Sequence, residues 1–212
     1  MRIFIFIFLM IASLPVKAQS LRDLFVEMPD SVLSILTKVN RADFGDFLDS
    51  DMQAIVKNRL GKKSEMKMMT ADYLLLELTK ASKLAMKYLT VDDSTRVICV
   101  AKTYLSPVPD TQLLFYNEQW EMLPTSRFIS LPKEEDYYRS LEHSEENTLP
   151  SALPSSGLLL QEAVLNSKED ELVFKYTSLS YIEKKEAETL KTKLKRKQIV
   201  YKWENGKFVM TL

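Results

Sequence analysis

Four aromatic side chains, Tyr116, Trp120, Tyr201 and Trp203, stand in two short segments, FYNEQW and VYKWENGKF, each shaped like the tip of a hairpin. Indole and phenol rings at such a tip can stack on sugar rings or anchor a protein partner. Strand alternation sends Tyr201 and Trp203 to one face and Lys202 to the other. These four are the candidate binding residues if that face is outward. The plainer reading is packing on the inner face of a sheet.

The other chemistry-bearing residues have simpler explanations. Asp43, Asp46, Asp49 and Asp51 crowd nine residues and could hold a hard cation, but the EF-hand glycine and closing Glu are missing. Helix capping and a solvated acidic edge account for them. His143 is the single imidazole, set in LEHSEE beside Ser144. No nucleophile-elbow motif accompanies it, so it reads as a loop residue. Zinc sites rich in His or Cys are excluded by the counts. Four glycines form no phosphate-cradling cluster. Cys99, the single cysteine, sits in RVICVAKTY and reads as a buried, inert strand residue, with no intrachain disulfide possible. Lys191, Lys193, Lys195, Arg196 and Lys197 close a helical segment, where cations suit the helix dipole. No cofactor, metal site or catalytic residue is nominated.

The elements that position these residues begin after a candidate leader. Arg2, the apolar run Ile3–Leu14, the break at Pro15 and Val16-Lys17-Ala18 have the order of a cleavable signal, too short to span a bilayer. Cleavage after Ala18 would start the mature chain at Gln19 and place it in the periplasm or outside the cell. Of 212 residues, 194 then remain, with 27 basic against 29 acidic side chains and a net charge of −2. That balance argues against a global grip on nucleic acid or anionic lipid.

Residues 19–131 read as a helical layer followed by an antiparallel meander. Asp30 is the expected N-cap of a helix reaching Val39, Asn40-Arg41-Ala42 a break, and 52–60 a further helix ended by Gly61. Strands are expected at 73–78, 84–89, 96–105, 113–116 and 120–123. Residues 132–157 read as a connector with a short helix opening at Pro132. Residues 158–212 resume with strands at 158–165 and 172–176, a helix from Glu183 behind a Ser180 capping box, and a hairpin over 199–210. Asn205-Gly206 is the preferred pair for its two-residue turn. Echoes such as Leu84–Tyr88 against Leu172–Tyr176 raise the possibility of two similar β-rich halves. The fold class is α+β.

Several stretches carry a family likeness: Met28-Pro29-Asp30-Ser31, Asn40-Arg41, Asp46–Ser50, Thr103-Tyr104 with Pro107, Phe115-Tyr116 with Trp120, and the closing Ile199–Phe208. Together they resemble an uncharacterised family of exported proteins from Bacteroidales, domain of unknown function family 3256. The resemblance implies membership and export and transfers no catalytic residue. The function expected is a non-enzymatic binding protein of the cell envelope, with a protein or glycan partner. The alternatives are a small carboxylate-dependent hydrolase and a carrier of an apolar ligand between sheet and helices.

Overall fold

The computed structural model describes residues 19–138 and 158–211. The candidate leader and the His143 segment lie outside them.

Two short helices open the chain, and each is closed by a reciprocal cap. At α1 (Leu21–Glu27) the Ser20 hydroxyl accepts from the Asp23 N–H while the Asp23 carboxylate accepts from the Ser20 N–H. Thr37 and Asn40 repeat the device at α2 (Lys38–Asp49). Each cap occupies amide groups that a helix start leaves unpaired. Asp30 is therefore no N-cap, and Asn40-Arg41 lies inside a helix instead of breaking one. Arg41 is 2% exposed and donates to the carbonyls of Val26, Met28 and Leu36 at 3.2, 2.5 and 2.8 Å. The turns between the helices are thus gathered around one buried cation.

The expected helix over 52–60 is instead strand β1 (Ile55–Lys57) and a tight turn. In that turn the Asn58 side-chain oxygen accepts from the N–H groups of Leu60 and Lys62. Its amide nitrogen donates to Ser64 Oγ and to the Leu78 carbonyl. Gly61 supplies a φ of +71° there, not at a helix end.

An antiparallel meander follows: β2 (Lys63–Met69), β3 (Tyr73–Thr79), β4 (Ser82–Thr90), β5 (Arg96–Tyr104), β6 (Asp110–Tyr116) and β7 (Met122–Leu123). With β1 these make a seven-stranded sheet in chain order. After α3 (Glu134–Tyr138) come β8 (Gln161–Leu165), β9 (Glu171–Tyr176), α4 (Lys184–Lys193), β10 (Gln198–Glu204) and β11 (Lys207–Met210). The second sheet runs β11-β10-β9-β8. The expected Ser180 cap on α4 does not form; Ser178–Ser180 is a 3-10 turn, and Glu183 stands at the N-cap without a side-chain bond. The closing hairpin forms as read, with Asn205 and Gly206 at φ 50° and 77°.

The fold is α+β in three layers. One face of the long sheet packs under the helices, with Leu24, Phe25 and Phe44 against Leu74, Leu84, Met86 and Val100. The other packs on the short sheet, with Leu89, Cys99 and Phe115 against Leu172, Phe174 and Tyr201. Strands β4 and β5 are the middle of the sandwich, so Leu84–Leu89 and Val97–Ala101 are buried on both faces. That is why their sequences run apolar where an outer strand would alternate.

Candidate functional site

The four aromatic residues nominated by the sequence do not form a surface. Tyr116, Trp120 and Tyr201 are buried, at 3%, 9% and 1% exposure, and Trp203 is half-buried. Tyr116 and Trp120 lie under the helices, where the Trp120 indole N–H donates to the Leu24 carbonyl at 3.1 Å. Tyr201 and Trp203 face the sheet interface instead. The Tyr201 hydroxyl donates to the Ser130 carbonyl, and the Trp203 indole to the Thr90 carbonyl. Phe128 stacks on Trp203 and Phe208 meets it edge-on. The Asn205-Gly206 turn forms as read, whereas Trp120, expected to open a strand, stands before β7 at φ 62°; the rings point inward because both faces of the long sheet are covered there.

Coverage of the long sheet is uneven, and the uncovered part is concave. β8 crosses β4, β5 and β6. Its edge is held by side chains: Thr111 Oγ1 accepts from the Ala163 N–H and Asp110 Oδ1 from the Gln161 N–H. The outer face of β1–β3 extends past this crossing. Register places Ile55, Glu65, Glu77, Lys83, Thr103 and Thr111 in one row across that face. Lys83 ends the open part of the row by pairing with Glu162 of β8 at 2.6 Å. Beyond it lies a hollow of about 590 Å³ bordered by Ile55, Lys63, Glu65, Glu77, Thr79 and Ala81.

Electrostatics in the hollow are set by a bulge in β2. Glu65 and Glu77 stand directly opposite, an unfavourable like-charge pair. Lys67, at the register shift between Met66 and Met68, reaches both, at 2.6 and 3.4 Å. Its hydrogen bond, with that of Gln53, holds the Glu65 carboxyl below the usual range. The Lys67 ammonium thus favours the charged form of Glu65.

A second, smaller cavity of about 290 Å³ opens on the helical face, between the 31–35 turns and the ends of β3–β5. Val32, Leu33 and Leu78 line it, with Ser34, Lys102 and Tyr104 at its polar side. The Lys102 ammonium is half-buried and donates to the Val32 carbonyl at 2.5 Å. Burial pushes its pKa down.

The remaining sequence candidates are structural. Arg22 pairs with Asp46 at 2.9 Å and Asp49 at 2.5 Å, tying α1 to α2. Among the described residues, no three or more His, Cys, Asp or Glu side chains gather as a metal site would need. Cys99 is fully buried at the sheet interface, and burial raises its thiol pKa. Lys195 and Arg196 donate their backbone N–H groups to the Tyr137 carbonyl, so the basic run is threaded onto α3.

These observations define a class: a three-layer α+β protein whose long sheet overhangs its partner sheet. The chain belongs to the family described as Protein of unknown function (DUF3256), whose family model matches residues 13–208. It is also similar to a solved domain of an uncharacterized protein from Porphyromonas gingivalis W83. That likeness has a TM-score of 0.74 and 24% identity over 91% of this chain and 98% of the other. At this identity it shows the shared fold. A search of curated proteins found no match. No helix among the described residues is long and apolar enough to cross a membrane.

Proposed function

We propose that this protein is an exported, non-enzymatic binding protein of the cell envelope, engaging a protein or glycan partner on the overhanging β1–β3 face. The observation that carries this reading is the mismatch between the sheets, which leaves a walled hollow where the rest of that face is covered. Its lining sets Lys62, Lys63, Lys80, Glu65 and Glu77 around Ile55, Thr79 and Ala81, and such a mixture of charged and apolar surface is usual where one protein meets a partner. Hydrolysis by paired carboxylates needs one acid with a raised pKa. Glu65 is shifted the other way.

Ile55→Arg and Ala81→Trp would fill the hollow. Captured envelope extracts should lose a partner with both variants while their melting stays at the wild-type value. Unchanged capture by both would overturn the assignment of this face. Export is tested apart from this, by N-terminal sequencing of protein from the envelope fraction. The reading expects Gln19 first, and an intact Met1 on cytoplasmic protein would refute it.

A further inference from the structure

Among the described residues, Lys87 and Lys83 are drawn into the fold beside acids, and Lys102 is drawn in without one. Lys87, 2% exposed, contacts Asp72 at 2.8 Å and Asp170 at 3.3 Å. Lys83 has Glu162 at 2.6 Å. Lys102 is desolvated as well, yet its bond is to the neutral Val32 carbonyl, with no carboxylate in reach among the described residues. An ammonium taken partly out of water without a counter-ion is a costly arrangement. An ammonium has three donors, and Val32 takes one. The small cavity opens beside this group, lined by Val32, Leu33 and Leu78 together with Ser34 and Tyr104.

We propose that this cavity binds an organic carboxylate, with its charge on Lys102 and a short apolar body against Leu33 and Leu78. Lys83 also borders the cavity but is already paired with Glu162, so one ammonium is left to balance one negative charge, which suits a carboxylate better than a doubly charged phosphate. Tyr104, 54% exposed, also borders the cavity, and its side chain offers a hydroxyl donor for the second oxygen. Two sources share this chemistry: a free small acid and the C-terminus of a peptide. The cavity opens between the 31–35 turns and the ends of β3–β5 and shares no lining residue with the hollow of the overhang, so this inference does not rest on the proposed function. Filling either hollow should leave binding at the other intact.

The test uses sodium hexanoate, hexanamide and a short peptide ending in leucine, prepared both as free acid and as amide, measured by calorimetry and thermal melting. Hexanoate or the free-acid peptide should bind and raise the melting temperature, and neither amide should. Response to hexanoate identifies a free acid as sufficient; response to the free-acid peptide alone identifies a C-terminus. Lys102→Met should weaken binding at least about tenfold, as loss of one partner of a desolvated ion pair does. Ser34→Trp, which closes the mouth without touching the lysine, should do the same and covers the case in which Lys102→Met fails to fold. Equal binding of acid and amide, binding that survives both variants, or no binding of either acid would overturn the proposal.

Discussion

The indole nitrogen of Trp203 donates to the carbonyl of Thr90 across 2.6 Å, joining residues 113 positions apart. Thr90 ends β4 in the long sheet and Trp203 lies on β10 in the short one, so this bond pins the sheets together at one corner. The Trp203 backbone N–H also donates to the Asp170 carbonyl at 2.8 Å. Asp170 in turn pairs through its carboxylate with Lys87. A ring and an ion pair therefore share one fastening. At Gly206, two residues past this strand, an added Cβ would come within 2.8 Å of Val91, so the hairpin tip is packed against the long sheet as well.

Trp203→Ala should destabilise the fold by about 2–4 kcal/mol, at the low side of the range for truncating a buried tryptophan because the ring is half-buried. Trp203→Phe keeps the stacking on Phe128 and forfeits the bond to Thr90, at about 1 kcal/mol. Denaturant unfolding of the two variants measures the difference. Partner capture should follow stability in both. A variant that keeps its stability and loses capture would return Trp203 to the surface role read from sequence.

Lys87 sits between two half-exposed aspartates, and the cost of breaking this group depends on which side is removed. Lys87→Met replaces a buried cation with an apolar side chain of similar length and leaves acids that water can solvate, so it should cost under about 1.5 kcal/mol. Asp72→Asn with Asp170→Asn leaves a buried ammonium without its anions and should cost about 3–5 kcal/mol. Urea titrations compare them, and the reverse order would show that Lys87 acts chiefly by packing.

The acid limb of stability should report the same cluster. Burial pushes the Asp72 carboxyl up, but hydrogen bonds from Lys87 and the Thr70 hydroxyl outweigh it and leave the pKa below the ordinary 3.8. A carboxyl lowered by folding contributes its stability in full above its unfolded value and loses it as pH falls toward the folded one. Wild type should thus lose stability more steeply than Asp72→Asn below about pH 4. Superimposable acid limbs for the two proteins would contradict the pairing.

Much of the fold was legible where one local signal governed. β10 and β11 alternate cleanly about Asn205-Gly206, β5 is a β-branched and aromatic run, and β3, β4 and β6 are short apolar runs between turn residues. The N-terminal third misled for a physical reason. Met52, Ile55, Val56 and Leu60 fit a helical spacing, and only the buried bonds of Asn58 to Ser64 and Leu78 show why the chain turns there. Asn40 looks like a breaker until its side chain is seen folded back on the Thr37 N–H. The capping pattern of Ser20 and Asp23 before Leu24 and Phe25 was readable and would have found α1. The site was less accessible. Which face of β1–β3 stays open depends on where β8 crosses, and no local pattern encodes that crossing. Lys102 looks like any alternate strand residue until its surroundings are seen in three dimensions, with no acid beside it among the described residues.

Cys99 offers a check on the sheet interface that is independent of any ligand. Burial raises its thiol above the ordinary range, so the thiolate that reacts with alkylating reagents is scarce. Native protein should resist labelling until it unfolds. Cys99→Ser should cost about 1–3 kcal/mol, the penalty for burying a hydroxyl in an apolar site, with binding at both hollows retained. Rapid labelling of the native thiol would show that the interface opens.

The alkaline limb tests Lys102 without any ligand. Burial lowers its pKa from 10.5, so the unfolded chain holds that proton more tightly than the native one. Stability then rises with pH through this window: the penalty is complete below the folded pKa and is relieved as pH climbs toward 10.5. Lys102→Met removes the penalty. It should be more stable than wild type at neutral pH, and the gap should narrow as pH approaches about 10. Denaturant midpoints of the two proteins across that range give the gap directly. A site kept at a cost to stability is expected where a ligand supplies the missing charge, so saturating hexanoate should close the gap at neutral pH. If Lys102→Met is instead the less stable protein at every pH, the lysine is a structural prop for the Val32 turn.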